Sequence, residues 1–270
     1  MSSTLNEKQF AIIPAIGFTL EKIWADRQSL LRIAVAPFCA LTLIGMVDVV
    51  LTADRVGSGG RMAWTVGSVF LTLFVLAPIC IRWHRAVILG EEVDDTGPLF
   101  PQTTGSYVVT QILIALVLFA VAVLLLFPLS TVAMLMAGSE GAQQVMVGLA
   151  PLVLVLSFAV TARFNILLSA ISVGDASLGF RQVWDLTQNN GLRLSAGLLM
   201  ILALAGLVSI FIALPLSPFL TEEAGLTVRA IAAAIGVAQG IVFNLIVVGY
   251  FSRAYLHFRG RSAPPSVEDT

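Results

Sequence analysis

Residues 163–193 decide the fold. They read Arg163-Phe-Asn-Ile-Leu-Leu-Ser-Ala-Ile-Ser-Val-Gly-Asp175, then Ala-Ser-Leu-Gly-Phe-Arg-Gln-Val-Trp184-Asp-Leu-Thr-Gln-Asn-Asn-Gly-Leu-Arg193. This polar, aromatic, arginine-bracketed stretch separates two charge-free apolar runs at about 145–162 and 194–215. At a rise of about 1.5 Å per residue, runs of that length approach or exceed the ~30 Å hydrocarbon core of a bilayer. The stretch therefore reads as an interfacial segment between two membrane spans.

The same alternation extends in both directions. Residues 10–32 place Leu20, Ile23, Trp24, Arg27 and Leu31 at helical spacing, with Glu21, Lys22, Asp26 and Arg32 largely on other faces. That pattern predicts an amphipathic helix at the bilayer surface, with Trp24 at headgroup depth. Further spans are expected at about 33–52, 63–81, 107–127 and 229–251, and a second interfacial helix at about 177–188. Residues 10–260 then form a single six-span domain, between a flexible N-terminus at 1–9 and a disordered tail at 261–270.

Composition supports membrane residence. The 270 residues are 58% hydrophobic and 11% charged, less than half the roughly 25% charge of ordinary soluble domains. A net charge of -1 offers no broad positive field for nucleic acid. The N-terminus lacks the basic, apolar and small-residue order of a cleaved signal peptide, so the first span is expected to serve as an uncleaved insertion signal. Cys39 and Cys80 lie in apolar runs and read as small buried hydrophobes.

Charge also orients the chain. Lys8, Lys22, Arg27, Arg32, Arg82, Arg85, Arg163, Arg181, Arg193, Arg253, Arg259 and Arg261 fall on one side of the six-span arrangement, and only Arg55, Arg61 and Arg229 on the other. The positive-inside rule puts the first set and both termini in the cytoplasm, as expected of a multi-pass protein of a bacterial inner membrane.

A threefold internal repeat accompanies this asymmetry. Leu20-Glu-Lys-Ile-Trp24 with Leu30-Leu-Arg32 parallels Phe180-Arg-Gln-Val-Trp184 with Gly191-Leu-Arg193. The two-helix units close on Arg82-Trp-His-Arg-Ala-Val-Ile-Leu-Gly90, Arg163-Phe-Asn-Ile-Leu-Leu and Arg253-Ala-Tyr-Leu-His-Phe-Arg-Gly260. The fold class that follows is an all-α membrane protein, with six transmembrane helices as three helical hairpins plus cytoplasmic-side amphipathic interfacial helices.

Trp83-His-Arg-Ala-Val-Ile-Leu-Gly-Glu91 and Gly174-Asp-Ala-Ser-Leu-Gly-Phe-Arg-Gln-Val-Trp-Asp-Leu-Thr187 also carry a resemblance. Across most of residues 10–258 the chain resembles bacterial six-span integral membrane proteins related to the membrane domain fused to some glycerophosphodiester phosphodiesterases. Nothing corresponds to the catalytic domain of those enzymes. The resemblance thus implies a membrane-surface or lipid-related role without the phosphodiesterase activity.

Two groups of residues stand out as candidate contacts. Trp24, Arg82, Trp83, Arg85, Arg163, Arg181, Trp184, Arg193 and Arg253 lie where headgroups or a partner would meet the protein, and arginine suits phosphate through paired donors. Gln239 and Asn244 sit inside the sixth span, where an amide seeks a polar group on another helix; Gln111 and Asn165 are the partners the sequence offers. His84 shares a face with Glu91, and Asp175 is placed to cap the second interfacial helix. Arg181 and Asp185 have the spacing of a surface ion pair.

The signatures of enzymes are missing. The chain has no lysine-containing phosphate loop, no His-Glu-x-x-His and no nucleophile with an evident base. Its two histidines do not form a metal-ligand pattern, and no cofactor is implied. The expected function is non-enzymatic: organising membrane lipids, or a membrane-protein partner, through the cytoplasmic face. The alternative is a small-molecule or lipid transporter, which predicts a cavity lined by Gln239 or Asn244.

Overall fold

Apolar runs in a medium without water must satisfy their backbone hydrogen bonds internally, and helices do so within one segment. The computed structural model describes residues 9–53, 58–93, 98, 100–216 and 225–260, and among them every regular element is a helix. The N-terminal residues 1–8, Arg55 and the tail 261–270 lie outside the described residues.

The elements are α1 (Ile12–Ala25), α2 (Arg27–Ala53), α3 (Ser58–Ile88), α4 (Thr104–Ser172), α5 (Phe180–Leu186), α6 (Gly191–Leu216) and α7 (Leu226–Arg259). Six stretches are long and apolar enough to span a membrane, one each in α2, α3, α6 and α7 and two in α4, Thr104–Pro128 and Val155–Ser172. Asp26 separates α1 from α2, so the first surface helix ends at Ala25 and the remainder of residues 10–32 opens the first span. α5 is likewise shorter than the 177–188 read from sequence.

α4 runs helical for 69 residues, a length that would be roughly 100 Å if straight. It is not straight. Tyr107 near its start and Ser169 near its end both reach the ring of His84, so the chain reverses between its two spans. The three pairs of spans are therefore three hairpins, and residues 131–138 prolong the helix rather than form a separate surface piece.

The second helix of each hairpin ends in the same way. Gly90, Gly174 and Gly260 follow α3, α4 and α7 in the left-handed region, with φ of 71°, 72° and 66°, the conformation with which glycine stops helices. These three helices carry most of the core, through Ala77–Ile88 side chains such as Ile81 and Trp83, through Ile166 and Ala170, and through Tyr250, Phe251, Ala254 and Tyr255. α7 is central and touches α1, α2, α3, α4 and α6.

Two close approaches lock neighbours onto α7. Thr19 of α1 covers Gly249, where an added Cβ would stand 2.3 Å from the threonine methyl. On another face the Tyr250 hydroxyl reaches the Arg193 and Leu194 carbonyls at 3.3 and 3.2 Å by passing over Gly197. Phe10 finishes the seam: its amide donates to Asn190 Oδ1 at 3.0 Å, and its ring packs on Tyr250 at 5.4 Å.

Because the Thr19 seat has no room for a methyl, Gly249→Ala is expected to cost about 1–3 kcal/mol by overpacking. Thr19→Ser removes the opposing methyl and should recover part of the loss. Thermal unfolding of the single and double variants measures the coupling, and purely additive effects would contradict the contact.

Candidate functional site

The inner ends of the three second helices meet around one imidazole. His84 of α3 is 1% exposed. Its Nδ1 lies 2.7 Å from Ser252 Oγ of α7 and 3.2 Å from Ser169 Oγ of α4, while Nε2 lies 3.3 Å from the Tyr107 hydroxyl. Ser252 donates its own hydrogen to the Val248 carbonyl at 2.9 Å. That leaves Ser252 Oγ to accept, which assigns the ring proton to Nδ1 and opens Nε2 to Tyr107.

One turn deeper, the Cys80 thiol donates to Asn244 Oδ1 at 3.0 Å, and Trp83 Nε1 donates to the Leu245 carbonyl at 2.9 Å. Buried polar groups thus satisfy one another across helices, as a low-dielectric interior requires. Ser252 and His84 have the spacing of a nucleophile and base, but both are sealed from solvent. The cluster joins α3, α4 and α7.

The arginines do not converge on one cleft. Arg82 donates to the Pro98 carbonyl at 2.9 Å. Arg85 pairs with Glu91 and donates to the Ser172 carbonyl at 3.3 Å, so Glu91 serves Arg85 and not His84. Arg193 ties Gln9 and the Phe10 carbonyl to α6. Arg253 lies 4.2 Å over the Phe18 ring. Arg181 is exposed on α5, and among the described residues no ion pair joins it to Asp185.

Trp24, Trp83 and Trp184 take different positions. Trp83 is fully buried, which removes it as a headgroup contact. Trp24 and Trp184 are 71% and 40% exposed. A guanidinium stacks on each: Arg27 at 4.9 Å from Trp24 and Arg163 at 4.3 Å from Trp184. Arg163 also presses against Gly191, where a Cβ would stand 2.2 Å from its Nε, and that Nε is buried without an acceptor among the described residues.

Gln239 and Asn244 are helix-packing groups with partners the sequence did not indicate. Gln239 donates to the Ala205 carbonyl at 3.1 Å and to Ser209. Asn244 takes Cys80, whereas Asn165 turns back to its own Thr161 carbonyl at 3.2 Å and Gln111 Oε1 is buried without a partner among the described residues. Cys39 is exposed and Cys80 buried, and neither is in a disulfide. No group of three metal-ligating side chains occurs among the described residues.

Asp175 is a clamp, and Gly179 takes the capping position of α5, its amide donating to Gln182 Oε1 at 3.1 Å. Asp175 accepts from Tyr255 at 2.7 Å, from Arg259 and from Ser177, tying the α4–α5 turn to the end of α7. Burial alone would raise its pKa; the hydrogen bonds from Ser177, Tyr255 and Arg259 outweigh it and hold the carboxyl well below its ordinary value.

Two apolar clefts open along α2. One, of 160 Å³, lies between α2 and α3, bordered by Pro37, Pro78, Arg82 and Phe100. The other, of 560 Å³, lies between the α1–α2 elbow and α7, bordered by Trp24, Arg27, Leu31, Val35, Ala238 and Val242 among others. Gln239 and Asn244 border neither. The chain matches no family model, no curated protein and no solved structure.

His84→Ala strips partners from Ser169, Ser252 and Tyr107 and leaves a cavity, for an expected loss of about 2–5 kcal/mol, whereas Ser169→Ala should cost roughly 0.6 kcal/mol. Chemical or thermal unfolding in detergent separates the two. For Asp175 the sign follows from its lowered pKa. The clamp contributes fully above the free-carboxyl value of about 3.9 and is lost as pH falls through the folded pKa. Asp175→Asn should therefore unfold at lower temperature than wild type at pH 7, with the gap closing below about pH 4.

Proposed function

We propose that this is a non-enzymatic, multi-pass protein of a bacterial inner membrane that organises anionic lipid, or a partner protein, at the arginine-rich end of its bundle, with that end and both termini in the cytoplasm. The observation that carries the reading is the pair of exposed Trp–Arg stacks, Trp24 with Arg27 and Trp184 with Arg163. Among the described residues neither guanidinium has a carboxylate partner. Indole rings favour headgroup depth, and unneutralised guanidinium groups beside them offer paired donors to phosphate.

The other arginines support the reading indirectly. By bonding the Pro98, Ser172 and Phe10 carbonyls they brace the α3–α4 connection, the end of α4 before α5, and the segment that leads into α1. Their alignment at one end agrees with the positive-inside preference.

Native mass spectrometry of the protein extracted directly from its own membrane tests this. Expected is selective retention of anionic lipid or a reproducible protein subunit. Lipid selection should weaken as salt rises from about 0.1 to 1 M and the screening length falls from about 10 to 3 Å. A monomer carrying only bulk lipid in bulk proportions would refute the proposal.

A further inference from the structure

The 560 Å³ cleft between the α1–α2 elbow and α7 has an apolar wall and a cationic mouth. From Arg27 to Phe38 its α2 wall is roughly 17 Å long by helical rise, close to the ~15 Å of hydrocarbon in one leaflet. A hydrocarbon chain lying along this apolar wall would run the depth of one leaflet.

The mouth selects by charge. Arg27 stacks on Trp24 and spends one donor on the Trp24 carbonyl at 2.8 Å. Lys22, the neighbouring cation, is neutralised by Asp26 at 3.1 Å. Arg27 has no such partner among the described residues, and its remaining donors stand where a chain in the slot would carry its headgroup.

We infer that this cleft is a binding site for one anionic phospholipid, with an acyl chain between α2 and α7 and its phosphate on the Arg27 guanidinium. The inference rests on the lipid-organising reading and gives it one location. Trp24 lines the cleft beside Arg27, and Ala34 and Ala238 are small residues in its wall, where larger side chains would fill the slot.

The test uses the full-length protein in nanodiscs of equimolar phosphatidylglycerol and phosphatidylcholine, followed by native mass spectrometry of the retained lipid. Wild type is compared with Arg27→Gln, Arg27→Lys, Ala238→Phe, Arg61→Gln and, as the competing anion site, Arg163→Gln, each confirmed folded by its melting curve. Arg27→Gln should lower the phosphatidylglycerol preference about fivefold, the effect of one interfacial cation. Arg27→Lys should restore most of it. Ala238→Phe should abolish retention of both lipids, and Arg61→Gln, an exposed cation at the opposite end of the bundle, should leave the retained lipid in place.

Several outcomes would overturn the site. Wild-type retention in both Arg27→Gln and Ala238→Phe, or loss only in Arg163→Gln, would place the lipid elsewhere and leave the broader reading standing. A retained protein subunit that Ala238→Phe releases would replace the lipid with a partner. No lipid preference in wild type would remove the site and the lipid reading together.

Discussion

The arrangement depends on burying polar side chains where no water can serve them. His84, Ser169, Ser252 and Tyr107 come from both ends of α4 and from α3 and α7, and each needs the others to avoid an unpaired group in a low-dielectric core. Apolar contact between membrane helices gives little preference for one rotation or depth, since lipid is as apolar as leucine. The His84 cluster supplies that preference. It sets the register of the three second helices, and Gly249 and Gly197, which Thr19 and Tyr250 cover, then allow α1 and α6 to close on α7.

This explains why the arginine-rich end is packed and the opposite end is open to lipid. Toward the cluster, α7 is buried almost continuously from Leu245 to Leu256, whereas α6 beyond Ile201 exposes Leu204, Leu207, Ile210 and Phe211. Gln239 bonding to Ala205 and Ser209 is the cross-link that holds α6 to α7 in that second half. Rigid packing at one end positions the interfacial helices. Looser contact at the other leaves the spans in lipid.

The six spans were legible because length and absence of charge are one-dimensional properties. The parallel hairpins were also legible, from recurring Arg and Trp at their ends. The chemistry of the cluster was not. Hydroxyls within apolar helices often turn to the carbonyl four residues earlier, as Thr19, Thr161, Ser172, Ser195 and Ser209 do here. Nothing in the chain marks Ser169 and Ser252 as hydroxyls that meet a histidine on another helix. His84, four residues after Cys80 and so on the same helix face, was the available sign, and sequence proximity drew it toward Glu91 instead.

The arginine repeat shows why similar residues took different work. Arg82 stands eight residues before Gly90 and Arg253 seven before Gly260, but Arg163 stands eleven before Gly174. Relative to the common helix end, Arg163 is thus about one turn, or roughly 5 Å, farther in. At that depth it finds no loop carbonyl and lodges between Trp184 and Gly191, with Nε unsatisfied. Arg82 reaches a loop carbonyl and Arg253 covers Phe18. The departure from the repeat is thus what leaves this guanidinium without the internal acceptor that Arg82 finds, and it is this difference on which the proposed anion contact draws.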